Sequence, residues 1–232
     1  MSDIPALEAV VQGPIDAIVI GASAGGVEAL SVLLPALPKG LRAAVFVVLH
    51  LPRERPSLLV DIFRHRCALA VKEAEDKEPV APGTIYFAPP DYHLLLDHGP
   101  DPEPHLALSA DELINYSRPS IDVLFESAAD IYGKRLLGIV LTGGNSDGAA
   151  GLLAVQRASG ITVVQDPRTA NTSAMPTAAI ELTVPDFVIP LDQIARLLAA
   201  LPASPVTAQA TPISTIKSQT KTANGTAKGQ GS

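Results

Sequence analysis

A short apolar run that stops at a glycine-rich turn constrains this chain more than any other feature. Ala17-Ile-Val-Ile20 leads into Gly21-Ala-Ser-Ala-Gly-Gly26, and from Val27 to Leu34 apolar residues resume at helical spacing. The run has the length and β-branched content of a strand buried on both faces. A helix is predicted after it, so the backbone turns sharply at Ser23. Glycines there permit positive φ and close approach of a ligand, while the first helical amides point free N–H groups into the turn. One reading is a nucleophile elbow, since Gly21-Ala-Ser-Ala-Gly25 fits G-x-S-x-G in its strand, turn and helix context. A second is a dinucleotide-binding turn. Against it, Ser23 stands where the middle glycine of G-x-G-x-x-G belongs, and the next strand ends at His50 instead of an acid. A plain packing turn is the third.

The remainder of the chain narrows the choice. At 232 residues and 47% hydrophobic, it can build one sizeable α/β core with tails. A net charge of −7, with no Lys/Arg cluster interleaved with aromatics, argues against nucleic acid and against an anionic membrane surface as partners. The single cysteine, Cys67, excludes an intramolecular disulfide, and the first 16 residues lack a basic n-region and a long apolar h-region. The longest apolar runs fall well short of the ~20 residues that span a bilayer. A cytoplasmic protein without direct membrane insertion is expected.

Taken in order, residues 1–15 read as an N-terminal arm, 16–201 as one catalytic-type domain and 202–232 as a disordered tail. The tail is rich in Ser, Thr, Ala, Gly and Gln and cannot bury enough apolar surface to order itself. Such a tail is suited to tethering a partner. Ala43 to Leu49 is a second buried strand ending at His50-Leu51-Pro52, and Pro56 begins a helix through about Arg66. Lys72 to Glu78 reads as a solvated surface segment. Residues 84–108 read as a small antiparallel insertion. His93, His98 and His105 lie in it without a Cys or Glu at metal-ligand spacing, so no metal is assigned. A helix follows Arg118-Pro119 and stops at Gly133. Leu136 to Leu141 is a third buried strand, opening into Thr142-Gly-Gly-Asn-Ser-Asp-Gly148 and a helix from Ala149 to Ser159. A strand at Ile161 to Val164, a helix to Leu182, a strand at Phe187 to Ile189 and a final helix from Leu191 complete the alternation. The expected fold is α/β and doubly wound: a mostly parallel sheet, helices on both faces and the antiparallel insertion.

Ser23, His50 and Asp147 each follow the carboxyl end of a different predicted strand, the edge where open parallel sheets hold their ligands. Ser supplies a nucleophilic oxygen, His can take its proton, and Asp can orient the imidazole. Free N–H groups of the glycine-rich turns could form an oxyanion hole. Asp147 also has an ordinary reading as N-cap of the helix after it. The order Ser, His, Asp differs from the Ser, Asp/Glu, His of common α/β-hydrolases.

Six ordered blocks carry a resemblance. Ile20-Gly-Ala-Ser-Ala-Gly-Gly26, His50-Leu-Pro52, Val71-Lys-Glu-Ala-Glu-Asp76, Arg118-Pro-Ser-Ile-Asp-Val-Leu-Phe125, Leu141-Thr-Gly-Gly-Asn-Ser-Asp-Gly148 and Ala174-Met-Pro176 are similar to the catalytic domain of the chemotaxis protein-glutamate methylesterases (CheB). The resemblance runs from about Asp16 to Leu201. It implies hydrolysis of glutamyl methyl esters on cytoplasmic helices of methyl-accepting chemotaxis receptors, often with deamidation of particular glutamines. It further implies an acyl-enzyme, a catalytic triad of Ser23, His50 and Asp147, and no cofactor. Where the family commonly has threonine this chain has Ala24, and Gly144-Asn145-Ser146 replaces the more usual Met-Gly-Asn. The Met amide is associated with the oxyanion hole, a role open to the Gly144 N–H. The residues before the first strand are too few for the family's usual receiver domain, so the chain reads as a stand-alone form. A non-catalytic receptor-binding or scaffold protein of the same fold is the alternative.

Overall fold

The computed structural model describes residues 13–51, 57–99 and 103–203. Most of the expected arm, Pro52, the helix start at Pro56 and nearly all of the tail lie outside the described residues.

Seven strands form one parallel sheet: β1 (Ala17–Ala22), β2 (Ala44–Leu49), β3 (Ala70–Glu73), β4 (Thr84–Phe87), β7 (Leu136–Val140), β8 (Ile161–Gln165) and β9 (Phe187–Ile189). Their spatial order is β3-β4-β2-β1-β7-β8-β9. A separate antiparallel pair consists of β5 (His93–His98) and β6 (Pro104–Ser109). The helices are α1 (Gly26–Leu33), α2 (Leu59–Phe63), α3 (Ile121–Tyr132), α4 (Ala149–Arg157), α5 (Ala174–Leu182) and α6 (Leu191–Ala199).

Continuous apolar runs become central strands because both faces of the sheet are covered. β1, β2 and β7 are buried at every position. Along β1, Ile18, Ile20 and Ala22 join the core beneath α1, α2 and α6, whereas Ala17 and Val19 join the one beneath α3, α4 and α5. That is the two-residue period of a strand. The order proceeds one way from β1 to β2 and the other way from β7 to β9. Crossovers of one hand therefore place α1 and α2 on one face and α4 and α5 on the opposite face. The doubly wound expectation holds.

Two local expectations are corrected. Thr84–Phe87 is not part of the antiparallel insertion: β4 lies inside the main sheet, parallel to both β2 and β3. Its four residues are all buried, with Ile85 and Phe87 facing one core and Tyr86 stacked on Phe46 at 5.6 Å in the other. A strand buried on both faces belongs in a sheet interior. Of the named strands among the described residues, β5 and β6 alone pair antiparallel, and their Leu94, Leu96 and Leu106 pack in the second core with α3. The segment expected to be solvated, Lys72 to Glu78, starts inside the edge strand β3 and buries Ala74, while Lys72 pairs with Glu78 at 2.6 Å and residues 75–77 are exposed.

Candidate active site

The strand order reverses beside β1, and the crevice at the carboxyl ends of β1, β2 and β7 is where doubly wound sheets hold ligands. The β1–β2 register ends at Ala22↔Leu49, and the His50 N–H continues the ladder to the Ala22 carbonyl at 3.1 Å. Ser23 and His50 are thus the next residues on two adjacent strands. On the other side the Ser23 N–H donates to the Thr142 carbonyl at 2.9 Å, tying the first turn to the loop after β7. The turn into α1 passes through Gly25 at φ 78°, a conformation that favours glycine. At Gly21 the reason is space. A Cβ there would lie 2.4 Å from Ile121 Cγ2, so glycine lets the start of α3 press onto β1. The Ser23 side chain is half-buried, and among the described residues its hydroxyl makes no hydrogen bond.

Asp147 reaches this rim fully buried, and its Oδ2 accepts from His50 Nε2 at 2.9 Å. The same oxygen accepts the Ile121 N–H at 2.6 Å. Oδ1 accepts from Ser120 Oγ at 2.7 Å and from the Asp122 N–H at 3.2 Å. The carboxylate therefore caps the N-terminus of α3, where unsatisfied amides and the helix dipole favour negative charge. It does not cap the helix that follows it. Gly148 occupies the N-cap of α4 at φ 97° and has no side chain with which to cap it. Burial pushes the Asp147 carboxyl up, but donation from His50, the Ile121 N–H and the Ser120 hydroxyl outweighs it and holds the group below the ordinary Asp value.

The helix start that Asp147 vacates is served by Asp122. Its Oδ1 accepts the Gly148 N–H at 2.9 Å and the Gly151 N–H at 2.7 Å. The two helices thus exchange caps, each N-terminus satisfied by a carboxylate that belongs to the other. Asn115 bridges the pair, with Nδ2 at 2.8 Å from Asp122 Oδ2 and 3.3 Å from Asp147 Oδ1. Burial, opposed by the Gly151 N–H and reinforced by the neighbouring Asp147 charge, pushes the Asp122 carboxyl up to about 6.

None of Asn115, Ser120 and Asp122 was singled out from sequence, although Asp122 sits in the Arg118-Pro-Ser-Ile-Asp block. Thr142 was missed as well. It is buried, and its hydroxyl donates to the Ala24 carbonyl at 2.8 Å and accepts the Thr172 N–H at 2.9 Å. Of the loop amides considered for an oxyanion hole, Gly143 is engaged with the Thr172 carbonyl at 3.0 Å. The Ala24 and Gly144 N–H groups donate to no protein acceptor among the described residues. The buried His93 accepts the Ser120 N–H through Nδ1 at 3.1 Å, leaving Nε2 to donate to the Glu112 carbonyl at 3.0 Å. It is a cross-brace behind the site. Among the described residues no group of three or more His, Cys, Asp and Glu is placed to hold a metal, and no helix is long and apolar enough to cross a membrane.

Fold and site together define a class: a doubly wound α/β domain with a serine, a histidine and a buried carboxylate at its switch point, the layout of a serine-type hydrolase. Comparison with known proteins gives the family of the chain. The chain belongs to the CheB methylesterase family, whose model matches residues 18–198, and this family consists of carboxylic ester hydrolases. A putative protein-glutamate methylesterase/protein-glutamine glutaminase of Leptospira interrogans is 44% identical over 186 residues, covering 80% of this chain and 94% of that protein. Protein-glutamate methylesterase/protein-glutamine glutaminase 2 of Caulobacter vibrioides is 35% identical over 188 residues, covering 81% of this chain but 54% of the longer relative. The crystal structure of the Thermotoga maritima CheB methylesterase catalytic domain superposes with a TM-score of 0.77 at 34% identity, covering 82% of this chain and 100% of that one.

Proposed function

We propose that this protein hydrolyses glutamyl methyl esters on the cytoplasmic helices of chemoreceptors, working in the cytoplasm without a cofactor, and deamidates glutamines by the same chemistry. The observation that carries the reading is the His50–Asp147 bond of 2.9 Å to a buried carboxylate, one strand from Ser23. With Nε2–H donated to Asp147, His50 keeps its Nδ1 lone pair for the Ser23 proton. Ser23 Oγ attacks the ester carbonyl, and the Ala24 and Gly144 N–H groups are the candidate donors to the oxyanion. Collapse of the tetrahedral intermediate breaks the C–O bond to the methoxy group, which leaves as methanol with the proton from His50. A water then loses its proton to His50 and attacks the acyl-enzyme, releasing the glutamate and restoring Ser23. Asp147 stabilises the imidazolium in both steps, as a buried aspartate does in the serine-protease template.

The test is methanol release from a methylated receptor cytoplasmic fragment by the purified chain, with fluorophosphonate labelling in parallel. Release and labelling that both vanish in Ser23→Ala are expected. Receptor binding without release or labelling would favour the non-catalytic scaffold instead.

A further inference from the structure

The turn beside His50 adopts a backbone that half of its sequence resists. Asn115 and Tyr116 both have positive φ, 51° and 60°, in a two-residue turn closed by Ser117 N–H to Ile114 O at 2.8 Å and Ile114 N–H to Ser117 O at 3.2 Å. Asn tolerates this conformation, and its amide is used on Asp122 and Asp147. A non-glycine residue there costs about 1–2 kcal/mol, and for a bulky side chain the position is an outlier. The Tyr116 side chain is 95% exposed.

What the turn achieves is placement. Tyr116 lines a cleft of about 100 Å³ together with His50, Leu51, Ser117, Arg118 and Pro119. On its other side, Leu113 and Glu112 border a wider depression that Tyr116 also lines. Leu113 and Ile114 are 43% and 41% exposed, so an apolar rim with an aromatic crest stands next to the histidine. Strained backbone and exposed apolar side chains concentrate where a partner binds. The partner at this spot must bring an ester to Ser23. Residues three and four away from a helical glutamate project within about 5–6 Å of it, close enough to meet the rim. An aromatic ring offers large contact area there at low entropic cost.

We infer that Tyr116 is a specificity-determining residue that packs against the protein segment carrying the esterified glutamate, with Leu113 and Ile114 extending the contact. The inference rests on the methylesterase reading. Tyr116 acts on the protein substrate around the ester and takes no part in bond breaking. The hold of Asn115 on the two carboxylates keeps this crest in register with Asp147.

Kinetics on two substrates separate the possibilities: a methylated receptor fragment, and the small ester p-nitrophenyl acetate, which has no flanking residues. Tyr116→Ala and Tyr116→Gly should lower kcat/KM on the receptor fragment by about 10-fold or more through KM, as expected when an interface aromatic is truncated. Both should leave turnover of p-nitrophenyl acetate unchanged. Tyr116→Phe should restore most of the receptor activity. Equal receptor kinetics in wild type and Tyr116→Gly would overturn the inference, as would parallel losses on both substrates. If the wild type turns over p-nitrophenyl acetate but releases no methanol from the receptor, the methylesterase reading fails and takes the inference with it.

Discussion

Replacing Asp122 with asparagine tests the cap exchange through a quantity that only a buried, charge-coupled carboxylate produces. A carboxyl raised from 3.8 to about 6 by burial and by the Asp147 charge disfavours its ionised form in the folded state. At about 1.4 kcal/mol per pKa unit this amounts to about 3 kcal/mol. The folded protein holds the Asp122 proton more tightly than the unfolded chain, so the contribution is fully present below about pH 3.8 and is lost as pH rises through about 6. Asp147, lowered in the folded state, has the opposite sign, and its contribution is lost only as pH falls below the ordinary Asp range. The two windows therefore separate. Urea unfolding of wild type and Asp122→Asn at about pH 4.5 and about pH 7.5 isolates the Asp122 part, about 2 kcal/mol of the total, as a change in the stability difference between the two proteins. The introduced amide would also present a second donor to the Asn115 side chain, but that cost is the same at both pH values and cancels. Parallel stability-versus-pH curves for the two proteins would refute the reasoning.

His50→Ala should abolish ester hydrolysis by a factor on the order of 10⁶ while leaving the circular dichroism spectrum unchanged, since nucleophile and base act as a unit. Wild-type-like turnover in the folded variant would remove histidine from the mechanism. Asp147→Asn should lower kcat by about 10⁴ by the serine-protease template. It should also lower the urea midpoint, because the same carboxylate caps α3. A change in stability alone would leave Asp147 as a cap and nothing more. Gly21→Val places side-chain atoms where Ile121 now sits, 2.4 Å from the Cβ position. Overpacking of about 1–3 kcal/mol should push the α3 N-terminus away from Asp147, so that thermal stability and methanol release fall together.

Local chemistry was enough to place Ser23 and His50 just past the ends of β1 and β2. An apolar run of strand length followed by glycines fixes where a buried strand ends, and the residue just past that end is read directly from the chain. Asp147 was found in the same way, from the glycine-rich loop after Leu136–Val140. Its partners could not be. The preference of Asp for helix N-termini is a local rule and points to the helix that follows. Here the chain turns through Gly148 and delivers the carboxylate to α3, 26 residues back in sequence, and to His50, 97 residues back. Which amide ends nearest a given carboxylate depends on how two helices pack against one face of a sheet, and no period along either helix encodes that. β4 was misassigned for a related reason. Its β-branched and aromatic residues announce a strand, but whether that strand joins a hairpin or slots between β3 and β2 depends on which neighbours cover its two faces. The residues proposed for the chemistry were thus legible because the backbone positions them locally. The hydrogen bonds that hold Asp147 beside His50 exist only once the second layer of helices has docked.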